Sequence, residues 1–178
     1  LAGKRVILTV GRLVERKGFD MVLRAMPRVL EEFPDALYLV VGDGPDRPRL
    51  EVMVRDLGLG GSVHFAGSAD EESLAAWFRT LDVFVMPSRE IPSSGHVEGF
   101  GIVFLEAGAC GRPVIGGRSG GVVEAVQDGV SGLLVNPGDP EDLARALLTM
   151  LRDPQHARDL GHSGRLRVER DFTWEKVL

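Results

Sequence analysis

Apolar residues fall along this chain in two rhythms. One is a series of short β-rich runs: Arg5 to Val10 (RVILTV), Leu37 to Val41 (LYLVV), Val63 to Phe65, Val83 to Met86 (VFVM), Val114-Ile115, and Gly132 to Val135. Runs this short, rich in Val, Leu and Ile and bounded by turn residues, are buried strands. The other is a recurrence three and four residues apart. Positions 19, 22, 23, 26, 29, 30 and 33 predict a helix from Phe19 to Phe33, which Pro27 should kink or shorten. Further helices are predicted over Arg47 to Leu57, stopped by Gly58, and over Glu71 to Leu81, capped by Asp70 or Ser68. One more starts near Gly101, and another covers Val122 to Val126. The last two run from Pro140 to about Leu151 and from Asp153-Pro154 to about Arg170.

Strand and helix alternate throughout. That order predicts an α/β fold: a doubly wound, mostly parallel six-stranded sheet with helices on both faces, formed by residues 1–178 as one domain. In such folds ligands bind at the carboxyl ends of the strands. The segments after the first, fourth and fifth strands depart most from simple connections, so they are the expected wall of a site.

The stretch His96 to Gly116, HVEGFGIVFLEAGACGRPVIG, concentrates the chemistry. Gly99 and Gly101 allow backbone to approach a ligand closely, having no Cβ. The helix start near Gly101 leaves unpaired N–H groups and partial positive charge, which favour an anion. Glu98 and Glu106 flank that start, eight residues apart. Carboxylates do not bind an anion, so their place is to accept hydrogen bonds from hydroxyls on either side of it. A phosphate carrying a sugar at each end has that layout. Glu106 is the lone charge between Val103 and Gly111, in a helix otherwise fit for burial, and a buried carboxylate needs a partner.

The first strand runs into Gly11-Arg12-Leu13-Val14-Glu15-Arg16-Lys17-Gly18. Neither G-x-G-x-x-G nor G-x-x-x-x-G-K-[ST] occurs there. Arg12 and Lys17, on one strand-end loop bounded by glycines, either grip a diphosphate or pair with Glu15 or Asp20 on the surface. His96 reads as a bystander, Asp43 in GDGP as a turn former, Cys110 as core, and Trp77 and Trp174 as packing residues. His64, His156 and His162 have no metal-ligand spacing, so no metal is expected.

Composition narrows the classes. With 178 residues, 44% apolar and 26% charged, the chain can build a sizeable core. Its net charge of -5 argues against nucleic acid as the main partner. A single cysteine excludes an internal disulfide and fits a reducing, cytoplasmic compartment. No apolar run approaches the ~20 residues of a membrane span, and no signal peptide is visible. The chain enters a strand almost at once from Leu1 and ends in FTWEKVL, which reads as the start of another helix. The expectation is a piece of a longer protein.

The ordered series GRLVERKG, VVGDGP, VHFAGS, DVFVMPSRE and EGFGIVFLEAGACGRPVIGGRSGGVVEAVQDGVSGLLV resembles the C-terminal half of a retaining glycosyltransferase of the two-domain GT-B type, family 4. The resemblance runs from about Lys4 to Trp174. The family's two glutamates separated by seven residues match Glu98 and Glu106. It implies a Rossmann-like domain that binds the nucleotide-sugar donor, with an N-terminal acceptor domain missing here. Carried over, Gly11, Arg12 and Lys17 would hold the donor diphosphate. Glu106 would take the ribose hydroxyls and Glu98 the hexose. Phe100, Gly101, Ile102 and Val103 would offer backbone N–H groups to sugar and phosphate, and the segment around Val63 to Gly67, with Val63 and Phe65, would lie near the base. Arg12, Lys17 and Glu98 would be the catalytic set, with no cofactor and no metal.

The form VEGFGIVFLEA after a long PSREIPSSGH loop is similar to phosphatidylinositol mannosyltransferase-like enzymes, which leans the donor to GDP-mannose over a UDP-sugar. The acceptor, sugar or lipid, is not legible. A lipid acceptor would put the parent enzyme at the inner face of the membrane, peripherally. The rival readings are a sugar-nucleotide epimerase-like domain on the same frame, a non-catalytic nucleotide-sugar-binding module, and a receiver or flavodoxin-like domain. Against the last stand the paired glutamates and the six strands.

Overall fold

The computed structural model describes residues 3–91 and 99–172. Six strands form one sheet: β1 (Arg5–Val10), β2 (Ala36–Val41), β3 (Val63–Gly67), β4 (Val83–Met86), β5 (Val114–Gly117) and β6 (Leu133–Val135). Their order is β3-β2-β1-β4-β5-β6, and every pairing is parallel. The helices are α1 (Phe19–Glu32), α2 (Arg47–Asp56), α3 (Glu71–Thr80), α4 (Ile102–Ala109), α5 (Val122–Ala125), α6 (Pro140–Arg152) and α7 (Pro154–Asp171). The predicted α/β architecture is therefore the observed one, and the sheet is parallel throughout rather than mostly so.

Two apolar layers sandwich the sheet because successive strand side chains point to opposite faces. Ile7, Tyr38, Val40, Val83 and Val85 join α1 and α6 on one face. Val6, Leu8, Leu39, Val41, Phe84 and Met86 join Phe78 of α3, Phe104 of α4 and Val122 of α5 on the other. One buried polar set interrupts the first layer. The Tyr38 hydroxyl donates to Thr9 Oγ1 at 2.9 Å, and Thr9 donates to the Val85 carbonyl, which ties β1, β2 and β4 together. Burial pushes the Tyr38 phenol well above its ordinary range.

Helix α1 runs through Pro27 unbroken for 14 residues, so the expected shortening does not occur. Pro27 sits on the exposed side, and the helix is kept by the burial of Phe19, Val22, Leu23, Met26 and Val29.

Candidate functional site

Strand order reverses between β1 and β4. The chain winds outward from β1 to β3 on one side and from β4 to β6 on the other, leaving a crevice at their carboxyl ends. The loop after β1 is sewn to the loop after β2 by backbone bonds. The Gly11 N–H donates to the Val41 carbonyl at 2.9 Å, Leu13 to Asp43 at 3.0 Å, and Asp46 to Leu13 at 3.1 Å. Leu13 is fully buried and anchors the loop. The approach is so close that a Cβ on Gly42 would stand 2.0 Å from the Gly11 carbonyl oxygen.

A single 3-10 turn, Glu15–Lys17, then leads to Gly18 and α1; the apolar pattern gave no sign of it. This turn sends the Lys17 side chain back over the end of β1. Its Cε and Nζ lie 3.7 and 4.0 Å from where a Gly11 Cβ would be. Arg12 is exposed beside it and pairs with no carboxylate among the described residues. A cavity of about 310 Å³ opens next to Arg12, lined by Gly11, Gly42, Asp43, Ser68 and Ala69 among others.

The three segments expected to form the wall meet at Pro87 and Ser88. A Cβ on Gly18 would stand 2.3 Å from the Pro87 carbonyl oxygen, and one on Gly117 would stand 2.3 Å from that of Ser88. Farther on, Gly99 and Phe100 lie against Gly121, whose Cβ would be 1.8 Å from the Gly99 carbonyl oxygen. The glycines after β5 are what let this backbone pass.

Gly101 enters α4 in the left-handed conformation (φ 74°, ψ 50°), with no side-chain cap and no acidic residue in the first turn. Helices α3, α6 and α7 differ: Asp70, Asp139 and Asp153 each accept from N–H groups of their first turns. Among the described residues no side chain accepts from the first turn of α4, whose N–H groups suit an outside acceptor.

Ile102 and Glu106, one turn apart, form an exposed outward stripe on α4, and Ile102 is 62% exposed. The expectation that Glu106 is buried is corrected here. Helix α4 buries only Phe104, Ala107 and Gly108, and turns its Ile102–Glu106 side outward. The Glu106 carboxyl is nonetheless held above the usual range, because surrounding protein removes part of its hydration. Val103 packs against the second apolar layer, and the Phe100 ring packs against Phe172. Glu98 and His96 lie outside the described residues, as does Trp174.

Val63 and Phe65 do not line the cavity; both pack against the layer shared with α1 and α2, with Arg47 stacked over the Phe65 ring. Ser68 and Ala69, just past β3, line it instead. The rule that ligands meet strand ends would have pointed there. Both carboxylate oxygens of Asp20 accept from Arg89 rather than from Arg12 or Lys17, and no motif in the sequence marks Arg89. Asp43 serves its own turn, accepting from the Gly44 N–H at 2.7 Å. Among the described residues no group of three or more His, Cys, Asp or Glu is arranged to hold a metal ion, and no helix is long and apolar enough to cross a membrane.

A protein-family model described as Glycosyl transferases group 1 matches residues 2–167. The chain is 40% identical over 174 residues to a GDP-mannose-dependent alpha-(1-6)-phosphatidylinositol monomannoside mannosyltransferase of Mycolicibacterium smegmatis, covering 98% of this chain and 46% of that protein. The chain therefore spans about half the length of the curated relatives it matches. Among solved structures it is similar to a sucrose-phosphate synthase from Thermosynechococcus elongatus (TM-score 0.88, 38% identity, 99% of this chain and 43% of that one). It is also similar to Anabaena Alr3699/HepE in complex with UDP and glucose (TM-score 0.84, 27% identity, 95% and 45%). A third similar structure is the C-terminal domain of a glycosyl transferase group 1 family protein from Francisella tularensis (TM-score 0.82, 27% identity, 97% of this chain and 88% of that one).

Proposed function

The chain belongs to the family of glycosyl transferases group 1, and from that premise we propose that it is the donor-binding half of a retaining mannosyltransferase using GDP-mannose. The observation that carries the reading is the start of α4, without a side-chain cap, at the same carboxyl edge of the sheet as the cations after β1. The crevice offers a nucleoside diphosphate backbone N–H groups from one loop and Arg12 and Lys17 from another. Glu106, a turn into α4, accepts from ribose hydroxyls, and exposed Ile102 gives apolar cover beside it. Glu98 is proposed to hold the hexose. The base sits toward the cavity at Ser68 and Ala69.

The difficult step is breakage of the bond between the anomeric carbon and the diphosphate oxygen. As it lengthens, negative charge grows on that oxygen. Lys17, Arg12 and the α4 N–H groups are fixed in advance to meet the charge, which is where preorganised donors act most strongly. We assign this charge stabilisation to protein groups alone, with no metal. The acceptor hydroxyl attacks the same face of the sugar that the diphosphate leaves, and its proton passes to the departing phosphate oxygen. The acceptor is bound by the remainder of the parent enzyme, which lies N-terminal to this domain. The donor lean rests on the GDP-mannose-dependent relative, and a UDP-sugar is favoured instead by the similarity to a structure holding UDP and glucose.

Titration of the chain with GDP and with UDP by calorimetry tests the reading. GDP should bind at least about 10-fold more tightly, a difference of ~1.4 kcal/mol. Tighter UDP binding would move the donor to a UDP-sugar, and binding of neither would remove the donor-site assignment.

A further inference from the structure

The Asp20–Arg89 pair sits at the seam of the loops that would hold the proposed ligand. Both Asp20 oxygens accept from the Arg89 guanidinium, each at 2.9 Å, across 69 residues of sequence. The side chains are 6% and 15% exposed. Arg89 grips the same segment a second time: its backbone N–H donates to the Arg16 carbonyl at 2.8 Å. A third hold is steric, the Pro87 carbonyl against Gly18. Residues 87–89 therefore pin residues 16, 18 and 20, and Lys17 lies inside the pinned stretch.

We infer that Arg89 and Asp20 are positioning residues for donor binding: their fork fixes the Lys17 turn against the segment after β4, so that the cation of one loop and the donors of α4 address the same diphosphate. This rests on the donor-site reading above. Two features set it apart from a plain fold staple. Helix α1 is already anchored by five large apolar side chains on its inner face, so the pair is not its sole tie to the fold. The pair also disposes of local acid. Arg89 engages both oxygens of Asp20 and lies 3.6 Å from Glu15, while Arg49 lies 3.8 Å from Asp20. The carboxylates nearest in sequence to Lys17 are thus matched to arginines from elsewhere in the fold. A bidentate guanidinium suits this role because it fixes direction as well as charge.

The test is a thermodynamic cycle on the 178-residue chain, with GDP as the probe. Removing one partner alone strands a buried charge and risks the fold. The informative variant is the double Asp20→Asn/Arg89→Gln, which keeps volume and one hydrogen bond. Circular dichroism melting checks that it folds. The expected result is about 10-fold weaker GDP binding in the double variant, similar in scale to losing a hydrogen bond to a charged group. In a Lys17→Ala background the same double change should weaken binding less than about 2-fold further, because the group being positioned is gone. Arg89→Lys, which keeps charge but loses the fork, should not restore parent affinity. Parent-like GDP binding by a folded double variant, or fully additive losses with Lys17→Ala, overturns this inference and leaves the donor site standing. Failure of the parent chain to bind GDP or UDP removes both.

Discussion

Replacing Gly121 by alanine isolates one packing decision on which the site depends. The backbone at Gly121 is in the right-handed helical region (φ -70°, ψ -3°), so alanine meets no conformational penalty there. By itself the change would stabilise by about 0.4–1 kcal/mol, through the less flexible unfolded chain. The folded chain decides otherwise. The new Cβ would lie 1.8 Å from the Gly99 carbonyl oxygen, 2.8 Å from its carbon and 3.0 Å from the Phe100 Cα. All three are backbone atoms, so no side chain can swing aside. Ordinary contact requires about 3.5 Å, so the Gly99 carbonyl must retreat by roughly 1.7 Å.

Overpacking of this kind costs ~1–3 kcal/mol, which outweighs the entropic gain. For a domain of this size the melting temperature should fall by about 2–8 °C. The retreat also displaces Gly101, whose left-handed entry aims the free N–H groups of α4. GDP affinity should therefore drop by about 10-fold or more, since ~1 Å of misplacement is costly in a preorganised site. Scanning calorimetry and GDP titration read the two effects. Gly138→Ala is the control, because its Cβ would find only Asn136 Oδ1, at 3.6 Å. It should shift stability by less than ~0.5 kcal/mol and leave GDP binding unchanged. If Gly121→Ala melts within about 1 °C of the parent and binds GDP equally well, the tight passage of Gly99 past Gly121 does not govern the site.

In the complete enzyme, Lys17→Ala and Arg12→Ala should each lower kcat by about 100–1,000-fold, the scale for removing one preorganised donor to developing charge; steady-state turnover with GDP-mannose checks this, and near-normal kcat in both removes their leaving-group role. Glu106→Gln should weaken GDP by about 10-fold but leave binding of 2',3'-dideoxy-GDP nearly unchanged, because the lost acceptor served those hydroxyls; equal losses for both nucleotides would place Glu106 elsewhere. The same variant has a pH signature. Because the folded Glu106 pKa is raised, the folded state holds its proton where the unfolded state has lost it. That contribution to stability is fully present below the unfolded value and is lost as pH rises through the raised one. Melts of parent and Glu106→Gln should therefore diverge in the variant's favour as pH rises from about 4 to 7, and parallel curves would contradict the desolvation of this carboxyl.

What the order of residues decides unaided is whatever depends on near neighbours. The run RVILTV can be satisfied only as a buried strand, and Asp70, Asp139 and Asp153 each cap a helix within three residues of themselves. Alternation of such units dictates the doubly wound sheet, so the carboxyl edge and the loops around it were legible before any coordinate. Gly101 could be read as a helix entrance for the same reason, since its role is settled by the residues beside it.

What needed three dimensions is what depends on distant partners or on which side of an element faces out. The apolar run Ile102 to Leu105 suggested a buried helix, yet α4 buries only one side and leaves Ile102 and Glu106 exposed; composition carries no information about which side faces out. Period-two alternation sends the Val63 and Phe65 side chains into the layer beneath, and the chain reaches the cavity just past the strand, at Ser68 and Ala69. The Asp20–Arg89 fork joins segments 69 residues apart, and no local pattern marks either partner. Loop placement is a property of the sheet order, and only the folded sheet brings β1 beside β4.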